Sequence, residues 1–173
     1  MTSKEVKFVS NLSKEYDQII EIGSGMSTII WAKTFKSVIA IESRLQWYRK
    51  IDNILNQRSI ANVNLIFAPP ESSAFSKKGE ELWNYRLPTD YGTIKEFELY
   101  FNTVQKVLDE LTKPAVIFID GHIREDIGIY CKELALDHAL LLHDYSDDRN
   151  YLNEWVSKEF KILTVVDSLV LFK

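Results

Sequence analysis

The sequence predicts an α/β protein built around a largely parallel sheet. Short apolar segments alternate along the chain with longer segments of helical periodicity, which is the pattern of repeated strand–helix–strand units. The apolar segments are nearly continuous, so helices should cover both faces of the sheet. The end of the chain departs from this alternation and is typical of two strands joined by a tight turn. We therefore expect a parallel sheet that closes with an antiparallel hairpin.

Five apolar segments are predicted as the parallel strands. They are residues 17–23, 37–42, 63–68, 115–121 and 139–144. The terminal hairpin is predicted from 160–166, the turn Asp167-Ser168 and 169–173.

Apolar residues at three- and four-residue spacing predict the helices between these strands. The clearest case is 96–111, where Tyr100, Val104 and Leu108 belong to one apolar stripe. Four other helices are predicted. One begins after Gly25, and one lies around Tyr151, Leu152 and Trp155. The other two have their apolar stripes at Leu45, Tyr48, Ile51 and Leu55 and at Ile127, Cys131, Leu134 and Ala135.

One segment, 69–93, interrupts the pattern. It contains three of the four prolines and shows no clean periodicity. Long irregular segments in compact domains are usually either functional or disordered. With the aromatic residues Trp83, Tyr85 and Tyr91, it is predicted to be a partly ordered lid over the substrate within a single domain spanning 1–173.

Charge and hydropathy argue against nucleic acid and membrane as partners. The net charge is -4, and the 21 Lys and Arg residues are spread along the chain, so no basic patch for nucleic acid is indicated. No apolar run approaches the roughly 18 residues that span a bilayer. We expect a soluble, cytoplasmic protein that contacts neither nucleic acid nor membrane, and nothing indicates its oligomeric state. Cys131 is the single cysteine and is predicted to be a small buried residue.

The stretch IIEIGSGMST, residues 19–28, ends a strand in Gly-x-Gly and leads directly into a helix. Such a turn lets the backbone approach a ligand, because a side chain at Gly23 or Gly25 would obstruct it. Dinucleotide-binding turns continue to a third glycine, but here that position is Thr28. Glu21, expected at the mouth of the strand, would repel a pyrophosphate and would suit the cationic S-adenosylmethionine, with a structural partner such as a lysine as the alternative.

Glu42 ends the second predicted strand, 19 residues after Gly23. A carboxylate at this place can accept hydrogen bonds from both ribose hydroxyls of a nucleoside cofactor. It supports nucleoside binding without distinguishing a dinucleotide from S-adenosylmethionine, and an ordinary strand-end acid remains the alternative.

The segments EIGSGMST, AIE, FIDGH and LLLHDY together resemble the class I S-adenosylmethionine-dependent methyltransferases over nearly the whole chain. The resemblance implies a Rossmann-like, doubly wound seven-stranded sheet of order 3-2-1-4-5-7-6, with strand 7 antiparallel. It also implies a cofactor site at Glu21, Gly23, Ser24, Gly25, Ser27, Thr28, Glu42 and Asp120. With Ser27-Thr28 in place of a third glycine, the turn resembles that of small-molecule O-methyltransferases, including bacterial sugar-modifying and plant glucuronoxylan enzymes.

The ends of strands four and five carry Asp120, His122, His143 and Asp144. These residues should meet beside the methyl group, since ligands bind beyond the carboxyl ends of the strands where strand order reverses. His122 is the preferred general base for an acceptor hydroxyl, with Asp120 and His143 as further catalytic candidates. His143 is expected inside the strand, as a buried and hydrogen-bonded residue.

The resemblance also raises a divalent cation such as Mg²⁺, because some O-methyltransferases hold one with carboxylates corresponding to Asp120 and Asp144. Those families commonly have a further acid or amide after the second aspartate, where this chain has Tyr145; Asp147 or Asp148 could substitute. The leading function is O-methylation of a sugar or other small hydroxylated metabolite. A nicotinamide-dependent oxidoreductase and a non-catalytic binding module remain alternatives.

Overall fold

In a computed structural model, the 173-residue chain forms a seven-stranded sheet of order β3-β2-β1-β4-β5-β7-β6. The structure describes residues 1–71, 94–145 and 150–173, with side chains described throughout except at 150–153. The strands are β1 (Gln18–Ile22), β2 (Ser37–Glu42), β3 (Val63–Phe67), β4 (Val116–Ile119), β5 (Ala139–Leu142), β6 (Ile162–Val166) and β7 (Leu169–Phe172). The predicted lid, nearly all of segment 69–93, lies outside the described residues, as do Asp147 and Asp148.

Helices lie on both faces of the sheet. Those described are α1 (Ser3–Leu12), α2 (Met26–Thr34), α3 (Leu45–Gln57), α4 (Glu98–Asp109), α5 (Arg124–Lys132) and α6 (Asn150–Glu159). Helices α2 to α6 occur where the sequence predicts them, whereas α1 was not predicted. Among the described residues, no helix has the length and apolar character needed to cross a membrane.

The pairing of the strands confirms the predicted topology. Strand β1 pairs in parallel with β2 on one side and with β4 on the other, and β4 pairs in parallel with β5. Strand β7 is antiparallel to both β5 and β6, and Asp167-Ser168 lies between β6 and β7 as predicted. The order of strands therefore reverses between β1 and β4, and a ligand-binding crevice is expected at their carboxyl ends.

Both faces of the sheet are covered, as the continuous apolar strands predict. Ile20 and Ile22 of β1 face a core cluster that contains Tyr100, Val104 and Leu108 of α4, whereas Ile19 faces a second cluster. The second cluster includes Val9 of α1, and Trp31 and Phe35 at the end of α2. Because successive strand residues point to opposite faces, one strand contributes to both cores.

Several observed elements are shorter than the predicted segments. Strand β4 ends at Ile119 and β5 at Leu142, so His143 follows its strand and does not lie within it. Helix α5 ends at Lys132, which leaves Leu134 and Ala135 beyond it. Cys131 is buried, as predicted. The shorter strands place the polar residues 120–122 and 143–144 in loops, where their side chains can converge.

Candidate functional site

Gly23 ends β1 in a conformation that favours glycine, with φ of 101°. A Cβ atom built on Gly23 would lie 2.7 Å from the backbone nitrogen and Cα of Gly121, and a Cβ on Gly121 would lie 2.2 Å from the hydroxyl of Tyr100. The loops after β1 and β4 therefore touch backbone to backbone. The glycine at 23 is required by contacts within the protein, whereas the sequence interpretation ascribed it to ligand approach.

Gly25, in contrast, is not crowded by the described residues. Its backbone is extended at the N-terminal boundary of α2, and among the described atoms beyond its chain neighbours a Cβ there would meet the Ser27 hydroxyl alone, at 3.5 Å. The amide of Gly25 donates to Thr28 Oγ1 at 3.1 Å. A side chain at this position would project from the turn without disturbing its packing, so Gly25 is the glycine that keeps the turn accessible.

Glu21 is completely buried beneath this turn, which corrects its expected place at the mouth of the strand. Its carboxylate accepts hydrogen bonds from the Thr28 hydroxyl and, at 3.1 Å, from Trp31 Nε1. Burial raises the pKa of Glu21 to about 8, although hydrogen bonds from Ser27 and Thr28 act in the opposite direction. In this structure Glu21, Ser27 and Thr28 hold the turn to the start of α2.

Glu42 lies at the end of β2, as predicted, and its carboxylate connects two loops. One oxygen accepts from the Ser24 hydroxyl at 2.8 Å, and the other accepts from the Arg44 backbone amide at 2.7 Å. The residue is 4% exposed, and this burial raises its pKa despite those hydrogen bonds. Glu42 thereby fixes Ser24 and the glycine turn relative to the loop after β2.

A cavity of about 200 Å³ opens at the carboxyl ends of β1, β2 and β4. Its lining residues are Gly23, Ser24, Glu42, Ser43, Arg44, Trp47, Asp120, Gly121, His122 and Arg124. A larger cavity of about 1030 Å³ lies at the opposite edge, around Gln18 and Ser37 at the starts of β1 and β2. The smaller cavity is the candidate site, because ligands of open α/β sheets bind beyond the carboxyl ends.

His122 lines this cavity from the loop after β4. It is 8% exposed, and its ring stacks on Phe97 with centroids 4.5 Å apart and an interplanar angle of 22°. The stacking fixes the plane of the imidazole at the cavity wall. Imidazole is a common general acid or base in enzymes, so the His122 ring is placed to exchange a proton with a ligand in the cavity.

The structure brings together three of the predicted residues beside the cavity. His143 Nδ1 lies 3.1 Å from Asp120 Oδ1 and 3.3 Å from Asp144 Oδ1. On the other side of the ring, Nε2 lies 3.7 Å from a carboxylate oxygen of the buried Glu5 in α1. Burial would lower the pKa of His143, but the hydrogen bond to Asp120 and the neighbouring carboxylates raise it above its ordinary value.

Arg124, the first residue of α5, occupies the centre of this cluster. Its Nη2 lies 3.2 Å from Asp120 Oδ1 and 3.2 Å from Asp144 Oδ2. Its Nε donates to the Gly121 carbonyl and its Nη1 to the His143 carbonyl, both at 2.9 Å. The side chain is 6% exposed, so a buried guanidinium connects the loops after β4 and β5.

Asp120, His143 and Asp144 each offer a ligand atom within 4.8 Å of the others, which is the spacing of a metal site. Both carboxylates, however, are already directed at Arg124 Nη2. A divalent cation between Asp120 and Asp144 would approach a fixed guanidinium charge at very short range. The donor atoms of Asp120 and Asp144 therefore do not fit the predicted Mg²⁺ while Arg124 holds this position.

Sequence reasoning missed Arg124 and Trp47. The partners of Arg124 come from two loops about twenty residues apart, so no local pattern reveals them. One signal was present: an arginine at the first position of a helix opposes the helix dipole, which indicates that it serves something other than the helix. Trp47 contributes to the cavity from the first turn of α3, an element the sequence predicts only by its apolar periodicity.

No protein-family model matches the sequence, and no curated protein matches it. Solved structures do match the fold. A methyltransferase-like protein from Silicibacter pomeroyi has a TM-score of 0.70 and 19% identity, covering 99% of this chain and 85% of that chain. An O-methyltransferase from Bacillus cereus in complex with SAH has a TM-score of 0.61 and 15% identity, covering 100% and 82%.

An rRNA methylase from Streptococcus thermophilus also matches, with a TM-score of 0.52 and 14% identity over 100% of this chain and 98% of that chain. The fold is thus that of the class I S-adenosylmethionine-dependent methyltransferases, as the sequence resemblance implied. At these identities the likeness describes the fold, and the reaction has to be argued from the site.

Proposed function

We propose that this chain is an S-adenosylmethionine-dependent methyltransferase that transfers a methyl group to a hydroxyl of a small metabolite such as a sugar. The observation that carries the proposal is the cavity at the point where strand order reverses. Its walls combine Gly23 and Ser24 of the glycine turn, the Glu42 carboxylate and the His122 imidazole. These are groups suited to a nucleoside cofactor on one side and a proton-bearing acceptor on the other.

The cofactor half of the site follows from three elements. Gly25 leaves the turn before α2 open, so the backbone can approach the amino acid portion of the cofactor. Glu42 is held by Ser24 and the Arg44 amide with its carboxylate at the cavity, where it would accept hydrogen bonds from ribose hydroxyls. The half-buried Trp47 ring would offer a flat surface to the base.

The acceptor half is formed by the loop after β4. Methyl transfer requires alignment of the acceptor oxygen with the methyl group and loss of the hydroxyl proton. His122 would take that proton, because its ring is fixed on Phe97 at the cavity wall. Asp120 and His143, which contact each other, would contribute to the electrostatic potential around the acceptor.

The first experiment measures S-adenosylmethionine binding by calorimetry. The wild-type protein is expected to bind in the micromolar range, on the order of -7 to -8 kcal/mol. Gly25→Val should abolish binding with little loss of stability, because its side chain would extend into space that no described protein atom fills. Gly25→Ala is the matched control and should weaken binding less than the valine.

NAD(H) is titrated in parallel, because a nicotinamide-dependent oxidoreductase would bind it and a methyltransferase would not. Unchanged S-adenosylmethionine affinity in a folded Gly25→Val protein would contradict the proposed cofactor turn. Binding of S-adenosylmethionine without turnover of any hydroxylated acceptor would favour the non-catalytic module.

A further inference from the structure

We infer that Arg124 takes the place of a divalent cation in this site, so that the protein carries its positive charge between Asp120 and Asp144 as part of its own chain. The consequence for turnover, that methyl transfer proceeds without added metal, rests on the function proposed above. The consequence for metal binding is independent of that function and can be measured directly.

The Arg124 guanidinium lies between the two carboxylates. A single nitrogen, Nη2, lies 3.2 Å from an oxygen of each aspartate, so it occupies the space between them. The other guanidinium nitrogens donate to the backbone carbonyls of Gly121 and His143, so the group is anchored on several sides. A guanidinium held in this way cannot move aside for a metal ion without giving up its buried hydrogen bond to the His143 carbonyl.

The backbone has an unusual conformation next to Arg124 and at its partner Asp144. Ile123, which precedes α5, has φ of 46°, and Asp144, in the loop after β5, has φ of 63°. A β-branched residue with positive φ is uncommon, so the surrounding structure must stabilise it. These two turns bring the guanidinium and the Asp144 carboxylate together. The ion pair is therefore a built feature of the loops after β4 and β5.

The charge of Arg124 also disfavours a metal ion. Its guanidinium is positively charged, and it already offsets the two carboxylates that would attract a metal. A divalent cation added beside it would gain less from Asp120 and Asp144 than in a site that lacks the arginine, and it would be repelled by the guanidinium. Both terms lower metal affinity. Removing the arginine should reverse them.

The test uses Mn²⁺ as the probe, followed by electron paramagnetic resonance and by thermal unfolding of the whole chain. Wild-type protein should show no bound Mn²⁺ signal, and neither Mn²⁺ nor EDTA should move its Tm. Arg124→Gln should gain a Mn²⁺ site at Asp120, His143 and Asp144. At a Mn²⁺ concentration about 100 times Kd, its Tm should rise by roughly 5–10 °C.

The double variant Arg124→Gln with Asp120→Asn should lose that site again. Lys132→Gln is the matched control, because it removes a cation from an ion pair with a single carboxylate, Glu159. It should create no Mn²⁺ site.

Wild-type protein that binds Mn²⁺ and loses it in Asp120→Asn would overturn the inference, and this arm stands even if Arg124→Gln fails to fold. A folded Arg124→Gln protein that gains no Mn²⁺ would overturn it as well. Neither measurement depends on methyl transfer, so a failure here is distinguishable from a failure of the proposed function.

Discussion

Replacing Glu21 by glutamine should change how the stability of the protein depends on pH. The folded protein holds this carboxyl at a pKa of about 8, raised by burial and by the nearby charge of Asp120, against an ordinary value of 4.5. Between these values the native state binds a proton that the unfolded state has released. Stability from this residue is therefore fully present below the ordinary pKa and declines as pH rises towards the folded pKa.

The size of the effect follows from the two values. Each pH unit in this window corresponds to about 1.4 kcal/mol, so between about pH 5 and pH 7 Glu21 alone should cost the wild type on the order of 2–3 kcal/mol. Glutamine does not titrate and keeps nearly the same shape, so Glu21→Gln should lack this decline. Any constant difference in hydrogen bonding with Thr28 or Trp31 shifts the variant curve without changing its slope.

The assay is urea unfolding of both proteins at half-unit pH steps, with the exposed Glu110→Gln as the matched control. The difference in free energy of unfolding between Glu21→Gln and wild type should grow in favour of the variant as pH rises. The control should run parallel to the wild type. A constant separation across this range would refute the reasoning, and would mean that the donors Ser27, Thr28 and Trp31 keep Glu21 ionised.

Two further predictions concern Glu5 and His122. Glu5 accepts from both the amide and the hydroxyl of Ser168, at 2.8 and 2.7 Å, and these bonds hold its pKa below 4.5 although burial opposes them. Glu5→Gln should therefore cost about 1–3 kcal/mol near neutral pH, measured by urea unfolding, and this cost should shrink as pH falls below about 4; a cost independent of pH would contradict it. His122→Phe keeps a ring on Phe97 but no proton acceptor, so it should lower kcat by about 10²–10⁴-fold with unchanged S-adenosylmethionine affinity. Wild-type turnover in this variant would remove His122 from the mechanism.

The fold was predictable because its signal is local and repeated. Continuous apolar runs such as 115–119 are typical of strands covered on both faces, and the stripe through Tyr100, Val104 and Leu108 is typical of a packed helix. The boundaries were less predictable. Strand β5 stops at Leu142 because His143 and Asp144 turn away to meet Arg124, and a conformation imposed by a tertiary ion pair leaves no trace in periodicity.

The candidate site was predictable to the extent that it lies at strand ends. Glu42, Asp120 and His122 line the expected cavity because parallel strands finish at one edge of the sheet. The placement of Glu21 was wrong because the sequence gives no indication of which strand-end acids the following helix encloses. Trp31 Nε1, ten residues later, donates a hydrogen bond to the buried Glu21 carboxylate.

The contact between Gly23 and Gly121 couples the positions of the loops after β1 and β4. An added methyl group on Gly23 would lie 2.7 Å from backbone atoms of Gly121, so one of the two loops would have to move to admit it. Under the function proposed above, substitutions at residues 120–122 that aim to change the acceptor are therefore expected to alter cofactor affinity as well. Changes elsewhere on the cavity wall that leave Gly23 and Gly121 in place are expected to avoid this coupling.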